Sequence, residues 1–166
     1  MMNEHHNVFV ATSKVGRGVF ARQCLAAGDE VGLVGGDVIP DADYGSDYCI
    51  DLSDGRGLEP ADPFRFLNHS CEPNCELIVW EDEEEGVGEI PSVSLFALED
   101  IPQGDELTID YAWPAESTIP CCCGAESCRG WIVAECELPQ VCRELSLRPS
   151  PPRAVSPDPQ THPMRG

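Results

Sequence analysis

The chain of 166 residues is long enough for one domain with a modest core and some excess, and too short for two ordinary domains. Ten basic against 30 acidic residues leave a formal charge of -20, which repels the phosphate backbone of a nucleic acid and argues against direct DNA or RNA binding. The opening MMNEHHNVFV has neither a basic nor a sustained apolar stretch, and no window approaches the eighteen or so apolar residues of a membrane span. The expectation is a soluble intracellular chain whose ten cysteines are reduced or metal-bound, not paired in disulfides.

Taken in order, short runs rich in β-branched and aromatic residues, namely NVFVATS, GVFA, EVGLVGGDVI, YCIDL, CELIVW, SVSLFAL and ELTID, alternate with Gly, Pro and Asp turns. This is the punctuation of a mainly β fold. KVGRGVFA places Gly16 and Gly18 around Arg17; a bare GxG lets a ligand approach the backbone, but it matches neither the dinucleotide fingerprint nor a P-loop. No stretch keeps a helical stripe for three turns. The one good helix start is Asp62 before Pro63, a carboxylate cap ahead of a residue whose missing N–H does no harm, opening a short turn through Phe64, Phe66 and Leu67.

RFLNHSCEPNC, from Arg65 to Cys75, sets an amide, an imidazole, a hydroxyl and a thiol at four successive positions. A thiol-protease dyad of His69 with Cys71 is set aside, because such dyads meet from distant parts of a chain, and residues two apart in an extended segment point the same way without facing each other. Turn residues that satisfy local backbone groups are the plain alternative. The run Glu81 to Glu85 falls in a hairpin loop between CELIVW and SVSLFAL and reads as solvated. The acidic excess of the whole domain is different, since it attracts cationic partners such as a lysine-rich peptide over a Debye length of about 8 Å. Tyr111, closing GDELTIDY, is in isolation a core-edge aromatic with a wet hydroxyl.

CCCGAESC sets Cys121, Cys123 and Cys128 as CxCxxxxC, with Gly124 freeing the turn. Thiolates this close can converge on one tetrahedral Zn2+ at about 2.3 Å each. A closed structural site needs a fourth ligand, and the spare cysteines are Cys24, Cys49, Cys71, Cys75, Cys122, Cys136 and Cys142. Composition changes from about Ile132. Beyond Ser146, LRPSPPRAVSPDPQTHPMRG carries too much Pro and too few large apolar groups to offset its ordering entropy, so a disordered tail is expected.

Together, GRGVFA, YCID, RFLNHSCEPN, ELTIDY and CCCGAESCRGWI resemble the SET-domain protein lysine methyltransferases that carry a post-SET cysteine motif, over about residues 8 to 132. The resemblance implies the mainly β SET (β-clip) fold with short helices, its NHSC and DY segments threaded as a pseudoknot, an arrangement otherwise rare. It divides the chain into a SET domain at 1–118 with a reduced insert, a zinc-bound post-SET segment at 119–132 and a C-terminal tail at 133–166. It implies S-adenosylmethionine held by Gly16, Arg17, Gly18, Asn68 and His69 with Arg65 flanking them. Tyr111 becomes the catalytic tyrosine, Tyr48 an aromatic lining the lysine channel, and Trp131 a cap over channel and cofactor. Cys71 becomes the fourth ligand of one structural zinc ion beside Cys121, Cys123 and Cys128. Ile109 stands where members often have Phe or Tyr that affects how many methyls are added.

The implied activity is methyl transfer to the ε-amine of a lysine in a basic protein or peptide, with no direct nucleic acid and no membrane. The alternative is a catalytically silent, zinc-stabilised module that holds basic tails on its acidic face. The presence of Asn68, His69 and Tyr111 together favours the enzyme, since a pure binder needs none of the three. Without a run of Lys and Arg the default address is the cytoplasm, with a nuclear one reached through a partner.

Overall fold

Alternation in VFVATS and GRGVFA becomes an antiparallel hairpin closed by Lys14 and Val15, with Gly16 at φ +122, a conformation that a residue lacking Cβ adopts freely. The structure is a computed structural model that describes residues 7–40, 44, 46–52, 54–80 and 91–147, the side chains of 146 and 147 excepted. Its strands in chain order are β1 (Val8–Ser13), β2 (Gly16–Ala21), β3 (Glu30–Leu33), β4 (Gly36–Ile39), β5 (Ile50–Asp51) and β6 (Gly57–Pro60). They continue with β7 (Asn68–His69), β8 (Cys75–Trp80), β9 (Ser92–Ala97), β10 (Glu106–Ile109), β11 (Ile119–Pro120) and β12 (Trp131–Ile132). One helix, α1 (Leu138–Leu147), follows.

Four strands form the sheet β1-β2-β10-β7; two three-stranded sheets run β3-β9-β8 and β4-β6-β5, and β11 pairs with β12. The short β7 lies parallel to β10, with Thr108 opposite Asn68 and Ile109 opposite His69. This non-local pairing sets the NHSC and DY segments side by side, the juxtaposition that threading requires. Period-two burial points one face of each strand inward. Val19, Leu95 and Leu107, from β2, β9 and β10, are each 0% exposed, so these sheets share one interior. Burying each such side chain stabilises by about 1.5–3 kcal/mol.

Two local expectations change. The turn at Phe64–Phe66 is a single 3-10 turn with Pro63 at its cap and no side-chain cap bond. Backbone carbonyls of Ala61 and Pro63 take the N–H groups of Arg65 and Phe66, so the turn closes on the main chain. The region after Ile132 also holds a helix. In α1, Leu138, Val141 and Leu145 form a stripe that packs with Ala115, Trp131 and Val133 into a small second core. Ten residues are marginal in isolation, and Pro139 sits in the first turn where its missing N–H is harmless. The helix therefore depends on docking, which a three-turn pattern test overlooks.

The β8–β9 register, with Trp80 opposite Ser92, places a hairpin around the acidic run, but Glu81 to Glu85 themselves lie outside the described residues. So does the tail beyond Leu147. Among the described residues no helix is long and apolar enough to cross a membrane.

Candidate active site and thiolate centre

The site is built on β10, whose neighbours β2 and β7 carry the GxG and NH residues. Glu106 at the start of β10 is the hub. Its Oε1 accepts from Asn68 Nδ2 at 2.7 Å and its Oε2 from Ser13 Oγ at 2.9 Å, while the same Asn68 amide donates to the Arg17 carbonyl at 2.9 Å. A Cβ on Gly18 would collide with Glu106 Oε1, so the position must be glycine if that carboxylate is to reach Asn68. Asn74 bridges to the other side of the strand, donating to the Glu106 carbonyl at 2.9 Å and accepting from the Thr108 N–H at 2.8 Å.

Two cavities flank this frame. One, about 420 Å³, is lined by the β1–β2 turn (Ser13, Lys14, Val15), by Asn68 and His69, and by Cys121 to Cys123. The other, about 430 Å³, is lined by Tyr48, Phe64, Arg65, Leu77, Ile109 and Trp113 among others. Both volumes fall in the range of ligand pockets. Tyr111 lines both. Its hydroxyl donates to the Leu67 carbonyl at 2.7 Å, and its ring stands 5.4 Å from Trp113 on one side and 5.4 Å from His69 on the other. Burial raises its pKa to about 12, helped by the charges of Tyr48, Asp47 and Glu106. The phenol therefore stays protonated at neutral pH.

Behind Tyr111 lies a sulfur cluster. The Sγ atoms of Cys71, Cys121, Cys123 and Cys128 all lie within 4.8 Å of one another, and those of Cys71 and Cys121 are 3.8 Å apart. Tetrahedral bonds of about 2.3 Å to one ion would set sulfurs about 3.8 Å apart, so the donor set fits zinc in both chemistry and spacing. Backbone N–H groups already point at the sulfurs: Arg129 to Cys71 at 3.4 Å, Cys123 to Cys121 at 3.5 Å and Gly130 to Cys128 at 3.4 Å. Burial pushes the Cys123 thiol up, yet the Cys71 and Ala125 N–H groups and the neighbouring thiols outweigh it and bring it down to about 6, while burial drives the Cys121 thiol well up and the net shift of Cys128 is also upward. A thiolate is the form that binds metal.

Arg129 ties this cluster to the tyrosine strand. Its Nη2 donates to Asp110 Oδ1 at 2.7 Å, and Asp110 Oδ1 also accepts the Ala112 N–H at 3.0 Å, holding Ala112 at φ +47 just past Tyr111. Burial alone would raise the Asp110 pKa; the Arg129 guanidinium overrides it and holds the carboxyl below its ordinary value.

Asn68, His69 and Tyr111 line one cavity, Arg17 and Gly18 adjoin it through the Asn68 and Glu106 contacts, Gly16 is not among its lining residues, and the four expected ligand cysteines cluster together. Tyr48 stands at the rim of the second cavity, 46% exposed, under the Arg65 guanidinium at 4.3 Å. Arg65 thus lies on the Tyr48 side, bonded to Glu59 at 3.0 Å, and not beside Asn68 and His69. Trp131 is not over either cavity of Tyr111. Successive residues of β12 face opposite ways, so Ile132 lines the Asn68 cavity while Trp131 packs on α1 and lines a separate space of about 150 Å³. His69 and Cys71 do face each other, with Nε2 and Sγ 3.4 Å apart, because the chain turns after β7 instead of continuing extended.

Sequence reasoning missed Glu106, Asn74, Trp113, Asp110 and Arg129. Asn74, Glu106, Asp110 and Arg129 sit inside the quoted motifs, and Glu106 is moreover a charge at an alternating position of a strand next to fully buried Leu107. Cys75 is the bystander expected of it, buried in the core with burial raising its thiol to about 12. Cys122 is exposed at the edge of the Asn68 cavity.

Residues 16–112 match the SET domain family, and the chain belongs to that family. It is 36% identical over 110 residues to the histone-lysine N-methyltransferase ash1 of Drosophila melanogaster, a match covering 62% of this chain and 5% of that protein. It is 35% identical over 140 residues to the probable histone-lysine N-methyltransferase set-23 of Caenorhabditis elegans, covering 70% of this chain and 55% of the relative. The chain therefore spans between a small part and about half of the length of these curated relatives. Among solved structures, that of KRYPTONITE in complex with mCHH DNA, an H3(1-15) peptide and SAH superposes with a TM-score of 0.65 at 28% identity, covering 76% of this chain and 29% of that one.

Proposed function

We propose that this chain is an S-adenosylmethionine-dependent protein lysine N-methyltransferase whose methyl donor and lysine enter from opposite sides of Tyr111. The observation that carries the reading is that, among the described residues, Tyr111 alone lines both cavities. The donor belongs in the cavity of Asn68 and His69, where it would supply an electrophilic sulfonium methyl. The lysine belongs in the cavity of Tyr48, Phe64 and Trp113, an aromatic sleeve suited to an alkyl chain that ends in an amine.

The work of the residues is alignment. Nitrogen attacks the methyl carbon as the carbon–sulfur bond breaks on the far side, and fixing such a line is worth about 7–11 kcal/mol. Asn68, locked by Glu106 and the Arg17 carbonyl, keeps the donor wall in place. A free lysine of pKa near 10.4 costs about 4–5 kcal/mol to present as neutral amine at pH 7, and the apolar sleeve lowers that cost by desolvating the ammonium. The protonated Tyr111 hydroxyl and the Leu67 carbonyl it meets form the polar point at which the amine can be oriented.

We assign zinc to the four-cysteine cluster, held by Cys71, Cys121, Cys123 and Cys128, where it would fasten the β11–β12 hairpin against the donor cavity. The histone-lysine methyltransferases among its relatives, together with the H3 peptide held by KRYPTONITE, support a histone-like basic tail as substrate and a nuclear site of action in place of the cytoplasmic default. The acidic balance of the chain suits such a tail.

The test is label transfer from S-adenosylmethionine to a panel of lysine-rich proteins, histones included, beside Tyr111→Phe. Transfer by the native chain that falls at least about 100-fold in the variant supports the enzyme. Donor binding with no transfer to any substrate would instead favour the silent binding module.

A further inference from the structure

The His69 side chain is buried, 3% exposed, and both ring nitrogens are engaged. Nδ1 accepts the backbone N–H of Tyr111 at 3.2 Å, so this nitrogen carries no proton. The proton of the neutral ring must then sit on Nε2, which faces Cys71 Sγ at 3.4 Å. Asp110 Oδ1 lies 3.5 Å from the same Nδ1. The imidazole also stacks obliquely on the Tyr111 ring, 5.4 Å between centroids. One rigid side chain therefore has the thiolate cluster at one end and the tyrosine at the other, and neither nitrogen is left for a ligand.

We propose that His69 is a positioning residue that couples the four-thiolate centre to Tyr111: its Nε2–H donates to the Cys71 thiolate while its Nδ1 holds the Tyr111 backbone. The inference rests on the zinc and methyltransferase readings above and adds a role to His69 that the cofactor pocket does not require. A donor to a metal-bound thiolate orients the ligand and relieves its excess charge, and loss of such a partner ordinarily weakens metal affinity 10- to 100-fold. Arg129 reaches the same sulfur through its backbone N–H and the same Asp110 through its guanidinium, so the coupling has a parallel arm; His69 alone touches the tyrosine.

Two substitutions in the full zinc-loaded chain separate the halves, because an asparagine amide approximates the Nδ1 end of the ring and a glutamine amide the Nε2 end. In His69→Asn, zinc passes to a chromogenic chelator 10- to 100-fold faster than in the native chain, and the sulfur-to-cobalt charge-transfer band of the Co2+-substituted protein shifts. In His69→Gln, zinc release stays within about threefold of native, while kcat falls tenfold or more. Native zinc release and an unshifted cobalt band in His69→Asn would overturn the coupling, as would equal losses of metal and kcat in both variants, which mean packing alone. A native chain that carries no zinc at all would instead sink the metal reading, a separate result read by elemental analysis before any variant is made.

Discussion

Tyr111 meets the Leu67 carbonyl through its hydroxyl and His69 through its N–H, so both its ring and its backbone are fixed before any ligand arrives. Because burial lifts its pKa to about 12, the proton that must leave for turnover belongs to the substrate amine. The neutral fraction of that amine grows tenfold per pH unit below its pKa, near 10.4 when free, so kcat/KM should climb with pH through the neutral and mildly alkaline range. A falling limb between pH 8 and 10 that disappears in Tyr111→Phe would contradict this and assign an ionising tyrosine. Gly18 is the second residue with a sharp consequence. In Gly18→Ala the new methyl displaces the far end of Glu106, freeing Asn68, and crowding of this kind costs about 1–3 kcal/mol. The expected result is a modest loss of thermal stability with KM for S-adenosylmethionine raised tenfold or more; unchanged KM by isotope-transfer kinetics would show that Asn68 does not shape the donor site.

At the level of elements, β10 does most of the assembly, since it pairs with the GxG strand on one edge and the NH strand on the other and leads directly into Asp110 and Tyr111. The cysteine-bearing segment reaches this frame twice, through Cys71 just past β7 and through Arg129 on Asp110 just past β10. Removing one ligand in Cys123→Ser should take zinc from one per chain to none by elemental analysis and lower methyl transfer on the order of tenfold or more. Full activity in a zinc-free Cys123→Ser protein would mean the cluster does not brace the site. The resemblance carried by GRGVFA, NHSC, DY and CxCxxxxC implied this assembly, whereas each motif taken alone left it open. What stayed unread was set by tertiary packing: α1 has only Leu138, Val141 and Leu145 to advertise it, and the turn of Trp131 away from Tyr111 follows from the facing of a two-residue strand.

For the molecule as a whole, a charge of -20 draws a basic tail toward the lysine cavity yet favours the charged ammonium once it is there. The aromatic sleeve of Phe64, Tyr111 and Trp113 has to prevail over that field locally by desolvation, with the Arg65 guanidinium in the same cavity acting in the same direction. Composition disclosed the field; it could not disclose that two cavities open on either face of one tyrosine, which depends on how three sheets meet. The most direct measurement is a crystal structure with S-adenosylhomocysteine and a lysine peptide bound together. The account predicts the sulfur in the cavity of Asn68 and His69, the lysine in that of Tyr48 and Trp113, and nitrogen and sulfur facing each other at the Tyr111 hydroxyl. Both ligands in one cavity, or a lysine that never reaches Tyr111, would contradict it.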